Sequence, residues 1–241
     1  MNEPGGATDV IVSVRGEART RVAPDFAVLH IKVAVRRGGK PGALRALAEA
    51  VALLTEGLAA RGGQALTVTT ERHPLTWSTR SVETYRQHRH RKPGEPVGPR
   101  RIAAIAWVDV GVRDLTQLDA VTGDLAGQPH AHLQSATWHV DEDNPAWARV
   151  RADAIRAALA KGADYATALG GSVVRVEQIA DSGLLSDSGD RPDRSRHAYG
   201  ISFSAQAASG EAGGSPTLDP VPQQLGAVIA RVVAAVPPLA R

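Results

Sequence analysis

Apolar and polar residues alternate strictly near the start of this chain. In residues 10–22, Val, Gly, Ala and Thr take one side, and mainly Ser, Arg and Glu take the other. Side chains of a strand point alternately to its two faces, so this period of two predicts a strand with one buried face. A second alternating stretch, residues 26–36, follows the turn Ala23-Pro24-Asp25. The short connection predicts an antiparallel hairpin. Its expected buried residues are Val10, Val12, Val14, Leu29, Ile31 and Val33.

Three later segments show the spacing of amphipathic helices. The first begins at Pro41, carries one stripe of Leu and Val, and ends at Gly62-Gly63. A short helix follows Asp114, where Gln117 completes a capping-box pattern. The longest begins at Asn144-Pro145 and ends at Gly170-Gly171, and we expect Val150 and Leu169 to be buried on one side of it.

The remaining regular segments are strands. They are predicted at residues 65–72, 101–113, 132–140, 172–180, 198–207 and 225–236. Because strands occur in pairs as well as around helices, the pattern predicts an α+β fold. It would have a largely antiparallel sheet or sheets and three packed helices, and it would begin β-β-α-β. A single domain is expected over residues 9–236, with flexible residues 1–8, a loop at 78–100 that is either mobile or the tip of a hairpin, a linker at 208–220 and a tail at 237–241.

Two stretches carry a family resemblance. The first runs from Val12-Ser13-Val14-Arg15-Gly16-Glu17-Ala18 to Val22-Ala23-Pro24-Asp25-Phe26-Ala27-Val28-Leu29. The second is Ala163-Asp164-Tyr165-Ala166-Thr167-Ala168-Leu169-Gly170-Gly171, which leads into Val173-Val174-Arg175-Val176-Glu177. In order and spacing they resemble the opening hairpin, and the helix, Leu-Gly turn and strand, of the SIMPL-domain family, the bacterial DUF541 proteins. The resemblance covers roughly residues 9–236.

The resemblance implies a fold more than an activity. Many SIMPL-domain members are exported to the bacterial envelope, some build large homo-oligomers, and a role in stress responses has been suggested. No shared catalytic set comes with the family. This sequence is expected to differ from the exported members, because no export-signal pattern is seen in it and it carries a basic central loop.

Positive charge is concentrated in one segment. Between Arg80 and Arg101, seven Arg and Lys residues stand against two Glu, whereas the whole chain has a net charge of +3. Such a segment is typical either of a solvated loop or of a surface that contacts phosphates. Aromatic residues are only 4% of the chain, so stacking platforms for bases are scarce. The candidate polyanion-binding residues are Arg86, Arg89, Arg91, Lys92, Arg100 and Arg101.

No metal or catalytic site is predicted. His88 and His90 lie among cations, and the pair His130 and His132 has no nearby carboxylate until Asp141, whereas metal sites need three or four converging ligands. The acidic run at 141–143 is expected to complement the positive end of the helix that follows it. Ser, Asp and His residues between 186 and 197 lack the strand–turn–helix context of a nucleophile. We therefore expect no catalytic residue and no cofactor.

The sequence favours a non-enzymatic, homo-oligomeric structural or interaction protein. Two alternatives stay open, a polyanion- or nucleic-acid-binding module that uses the basic segment and an uncharacterised enzyme. Self-association is expected because several strands are apolar on both faces, as where Ala103, Ile105 and Trp107 lie opposite Ala104, Ala106 and Val108.

Compartment and redox chemistry are limited by what the sequence lacks. There is no cysteine, which removes disulfides and thiolate chemistry. No apolar run approaches the roughly 18 residues of a membrane span, and no signal-peptide pattern is seen, so a cytoplasmic location is expected.

Overall fold

The computed structural model of the protein describes residues 10–87, 101–181, 205–206 and 218–236. In chain order the elements are β1 (Val10–Val22), β2 (Phe26–Arg37), α1 (Lys40–Ala60), β3 (Gln64–Ala65), β4 (Leu75–Gln87), β5 (Arg101–Val112), α2 (Leu118–Gly127), β6 (Ala131–His139), α3 (Ala146–Ala168), β7 (Arg175–Asp181), β8 (Ala205–Gln206) and β9 (Gln223–Val236). The α+β class, the three helices and the β-β-α-β opening are confirmed.

Contacts divide the chain into two compact units. The first unit comprises Met1–Val22, Asp141–Ile201 and Pro222–Arg241, and the second comprises Ala23–Val140 and Ser202–Val221. Each unit has its own sheet, ordered β1-β9-β7 in the first and β3-β4-β5-β2-β6-β8 in the second. The single domain expected over residues 9–236 stays a prediction.

In the first unit, helix α3 packs very closely against the sheet. Its contacts are with β1 and β9, and its buried residues recur every fourth position as Ala146, Val150, Ala154, Ala158, Gly162 and Ala166. Small side chains let the helix approach until a Cβ on Gly16 of β1 would lie 2.7 Å from the backbone nitrogen of Ala158. Lys161 of α3 also donates a hydrogen bond to the Arg15 carbonyl at 2.9 Å. The predicted burial of Val150 is confirmed, whereas Leu169 is only half-buried.

The second unit is a layered structure in which four long strands carry two helices. The chain order β2-α1-β4-β5-α2-β6 and the spatial order β4-β5-β2-β6 make the β-α-β-β-α-β arrangement called ferredoxin-like. All contacts between these four strands are antiparallel. Helices α1 and α2 share one core cluster with the inward face of the strands, where the buried set includes Leu29, Ile31, Val33, Leu54, Leu58, Val108 and Val121. The opposite surface of these strands is called the outer face below.

The predicted hairpin between the first two strands is wrong. β1 pairs with β9 from Val10↔Val236 to Val22↔Gln223, and β2 pairs with β5 and β6. After β1, the Asp25 N–H donates to the His139 carbonyl at 2.8 Å, so the chain joins β6 rather than folding back on β1. Alternation determines which face of a strand is buried but leaves its neighbour undetermined. The predicted faces are right at Val14, Leu29, Ile31 and Val33, while Val12 is half-buried and Val10, at the strand's end, is exposed.

Residues 65–72 were predicted as a strand and are mostly a turn. Only Gln64–Ala65 pairs with β4. Threonine side chains then take over the hydrogen bonding, since the Thr67 N–H donates to Thr70 Oγ1 at 2.7 Å and that hydroxyl donates to the Ala65 carbonyl at 2.7 Å. Threonine competes with the strand ladder in this way through its local hydrogen bonds.

The predicted loop at 78–100 begins as a strand. β4 continues to Gln87, which pairs with Arg101 of β5, so the hairpin alternative is right as far as the structure extends. Residues 88–100 lie outside the described part, as does most of the predicted strand at 198–207 and of the linker at 208–220. Leu218, at the end of that linker, is buried in the core of the second unit.

Candidate functional site

The predicted basic set is only partly visible. Arg86 pairs with Ile102, and the next residue, Gln87, pairs with Arg101. Because successive strand residues face opposite sides, Arg86 and Arg101 lie on opposite faces of the β4–β5 hairpin. Both are exposed. Arg89, Arg91, Lys92 and Arg100 lie outside the described residues, so polyanion binding by the whole set stays a prediction.

The structure describes one of the two histidine pairs. His88 and His90 are outside the described residues, and His132 is exposed on β6. Among the residues that the structure describes, no group of three or more His, Cys, Asp or Glu side chains could hold a metal ion.

Sequence reasoning missed a polar row that crosses the outer face. Strand register brings His30 of β2 beside Asp109 of β5. His30 Nδ1 lies 2.8 Å from Asp109 Oδ1, and His30 Nε2 lies 3.1 Å from Thr137 Oγ1 of β6. Thr137 Oγ1 in turn lies 3.1 Å from His139 Nε2. Four side chains from three strands are thus joined.

One assignment of protons satisfies the whole row. His139 Nε2–H donates to the Thr137 hydroxyl, the hydroxyl donates to His30 Nε2, and His30 Nδ1–H donates to the Asp109 carboxylate. Each imidazole is then neutral, with one nitrogen carrying the proton. The row clamps β5, β2 and β6 together at the centre of the sheet.

The order of hydroxyl, imidazole and carboxylate is also that of a nucleophile, its base and the group that orients the base. Two features favour a structural role here. Thr137 lies within a strand rather than on a strained strand-to-helix turn. Its hydroxyl also lies within hydrogen-bonding distance of two imidazoles, which holds it in a network.

Protonation of this row should couple to stability. Burial lowers the pKa of His139 in the folded protein, and repulsion from His30 whenever that imidazole is charged lowers it further. The pKa of this histidine in the unfolded chain is about 6.5. As the pH falls through that value, the unfolded chain binds a proton at His139 while the folded protein does not. The free energy of unfolding therefore decreases until the pH is below the lower pKa of the folded state.

We therefore expect His139→Gln to flatten the decline of melting temperature between roughly pH 7.5 and 5.5, the range around the ordinary histidine pKa. His132→Gln is the matched control, because His132 is exposed on the same strand. Thermal unfolding followed by circular dichroism measures both. Parallel pH profiles for wild type and His139→Gln would contradict this coupling.

Cations and aromatic rings surround the row on the same face. Lys32 Nζ and the Arg80 guanidinium lie 5.8 and 5.9 Å from the centroid of the Trp107 ring. At the other end, the Arg113 guanidinium lies 4.4 Å from the Phe26 ring centroid. Phe26 stacks on His139 at 4.9 Å. The outer face is therefore a mixed cationic and aromatic surface rather than an apolar one.

The fold defines an α+β class of protein, in which two helices of the second unit pack on one face of its sheet and the opposite face carries cations and aromatic rings. A family model described as SIMPL, protein of unknown function (DUF541), matches residues 12–234. The chain belongs to the SIMPL family, which confirms the resemblance found in the sequence. A search of curated proteins gave no match.

Helices that cross a membrane must be both long and apolar. None of those in the described ranges is both long enough and apolar enough to cross a bilayer. The cytoplasmic location stays a prediction.

Proposed function

We propose that this SIMPL-family chain is a non-enzymatic interaction protein that assembles with copies of itself through the open edge of β4. The observation that carries the proposal is the pairing of that strand. Within the described residues, β3 pairs only with Thr76 and Trp77, so Ser78–Gln87 has β5 on one side and no strand on the other. Such an edge presents unpaired backbone groups to a neighbouring chain.

Side chains on this edge support pairing with another strand. Val82 is 55% exposed and Tyr85 is 47% exposed. Val82 pairs with Ala106 and Tyr85 with Ala103, which places them on opposite faces of the strand. A strand added at this edge would cover apolar surface on both faces and satisfy the backbone as well.

The apolar residues on both faces of β5 do not support self-association. The second apolar face of β5 needs no neighbouring subunit at Ala103 and Ile105, because both are buried within the single chain. Trp107 is half-buried, with Lys32 and Arg80 beside it. The proposal therefore depends on the β4 edge and not on the second face of β5.

The edge can be tested with charge substitutions. We expect Val82→Lys and Tyr85→Lys to lower the native mass measured by light scattering, because each places an ammonium group where a second strand would pack. Leu53→Lys is the matched control, since Leu53 is 49% exposed on α1 of the same unit. An assembly whose mass is the same in both edge variants and in the control would exclude this edge.

The polyanion-binding alternative has weaker support from the basic segment alone. Arg86 and Arg101 are exposed at the end of the paired hairpin, which is where a ligand would meet residues 88–100. Their placement on opposite faces, however, argues against one continuous basic surface at this point. An enzymatic role likewise stays an alternative without an assigned acid, base or nucleophile.

A further inference from the structure

We propose that the outer face of the second unit binds single-stranded nucleic acid, with Trp107 as a stacking platform and Lys32 and Arg80 as phosphate contacts. This site shares Arg80 with the basic segment and with β4, but it uses the face of the sheet, not the backbone edge of β4, and no residue between 88 and 100. Its occupancy does not require self-association.

Trp107 is placed where a platform needs to be. It lies on β5, one of the two central strands, opposite Lys32 of β2 and Ser81 of β4. Trp107 is half-buried, so part of the residue remains accessible, and Lys32 and Arg80 lie over its ring. An indole ring stacks on any base because every base has a π face. A base that stacks there takes the place of the cations over the ring, and these long side chains can then reach the adjoining phosphates.

The charge on this face is complementary to a phosphate backbone. Strand alternation and register assign five cations and two carboxylates to it, namely Lys32, Arg36, Arg80, Arg101 and Arg113 against Glu83 and Asp109. Asp109 is already engaged by His30 at 2.8 Å, with Arg80 4.0 Å away. The central carboxylate therefore lies between His30 and Arg80 and is not an isolated negative charge on this face.

The architecture favours a single strand over a duplex. Four antiparallel strands spaced about 4.8 Å apart form a broad surface. On this face of β5, Ala103 and Ile105 are buried and Trp107 is the accessible position at which an unstacked base can lie. A duplex hides its base faces, so a ring on a sheet could not reach them. RNA-binding modules that present aromatic residues on a four-stranded sheet read single strands in this way. Topology alone does not assign the function; the ring and its two flanking cations carry the inference.

Binding can be measured by fluorescence anisotropy with a labelled oligonucleotide of about 20 thymidines and its uridine counterpart. This length is slightly more than the 4–16 nucleotides that single-stranded sites commonly cover. We expect Trp107→Ala to weaken binding by about 5- to 150-fold, because stacking contributes roughly 1–3 kcal/mol per base. Trp107→Phe should retain most of the affinity.

The cations are tested through salt dependence. Replacing Lys32 and Arg80 together with Ser should reduce the slope of log K against log salt by about 1.4, since each phosphate contact on a single strand contributes roughly 0.7. Arg45→Ser is the matched control, because Arg45 is exposed on α1, on the opposite side of this unit. It should leave both affinity and slope unchanged.

Three results would overturn the proposal. One is the absence of oligonucleotide binding by the wild type at low salt. Another is binding that Trp107→Ala and the Lys32/Arg80 double variant leave intact. The third is equal binding of heparin and the oligonucleotide with no effect of Trp107→Ala, which would mean a charge-only surface. If Trp107→Ala fails to fold, as judged by circular dichroism, the double Ser variant still decides between retained and lost binding.

Discussion

Gly16→Ala is expected to unfold the first unit or to cost it about 3 kcal/mol, the upper range for overpacking a close contact. A Cβ at this position would lie 2.7 Å from both the backbone nitrogen and the Cβ of Ala158. These atoms belong to α3 itself, so relief would require the whole helix to move away from β1. The bulge between Val14 and Gly16 already places the strand against the helix at this point.

Gly226→Ala is the matched control for Gly16→Ala. Gly226 lies on β9 of the same sheet, and the nearest atoms to its added Cβ are 3.9 Å away, an ordinary van der Waals distance. We expect its effect to stay within about 0.5 kcal/mol, as for substitutions that disturb no special feature. Urea unfolding of the two variants makes the comparison. Equal stability of both would contradict the close approach of α3 to β1.

Val150→Asp should be the other severe substitution. Val150 is 1% exposed in α3, whose buried side packs on β1 and β9. A carboxylate there would lose its hydration without gaining an assigned partner, and we expect a cost on the order of 3 kcal/mol or more. Thermal or urea unfolding followed by circular dichroism measures this loss.

Ala152→Asp separates burial from helix propensity. Ala152 is exposed on the same helix, two residues from Val150. It should therefore lose only the intrinsic preference of alanine over aspartate, roughly 0.7 kcal/mol. If Val150→Asp is no more destabilising than Ala152→Asp, the assigned face of α3 is wrong.

Sequence patterns located most elements because local chemistry defines them. The alternation around Leu29 and Ile31 marked the buried face of β2, and glycine marked the ends of α1 and α3, where Gly62 and Gly170 have φ angles of +82° and +75°. Only glycine adopts these angles without steric cost.

Which strands pair with each other could not be predicted in the same way. The alternation of β1 is compatible with any neighbour that offers an apolar face. Its partner, β9, comes from the other end of the chain. The strand predicted at residues 65–72 is wrong for a related reason. Threonine is common in strands, but it also forms turns held by side-chain hydrogen bonds, such as the one found at residues 67–70.

The polar row and the cationic face depend on long-range register. His30 meets Asp109 and Thr137, which lie 79 and 107 positions away in the sequence. Alternation marked His30 and Lys32 as outward-facing but gave no sign of which outward residues would meet them. Trp107 was read as apolar surface that needs cover, and its flanking cations became evident only from the pairing of β2, β5 and β4.

Self-association through the β4 edge can be tested by the native mass of the wild-type chain. Multi-angle light scattering at micromolar concentration should give a mass of at least twice the 25.3 kDa of one chain. Closed homo-oligomers are the common outcome when one surface pairs with itself. A sole species at 25.3 kDa would contradict the assembly and leave the β4 edge as an exposed strand without a partner copy.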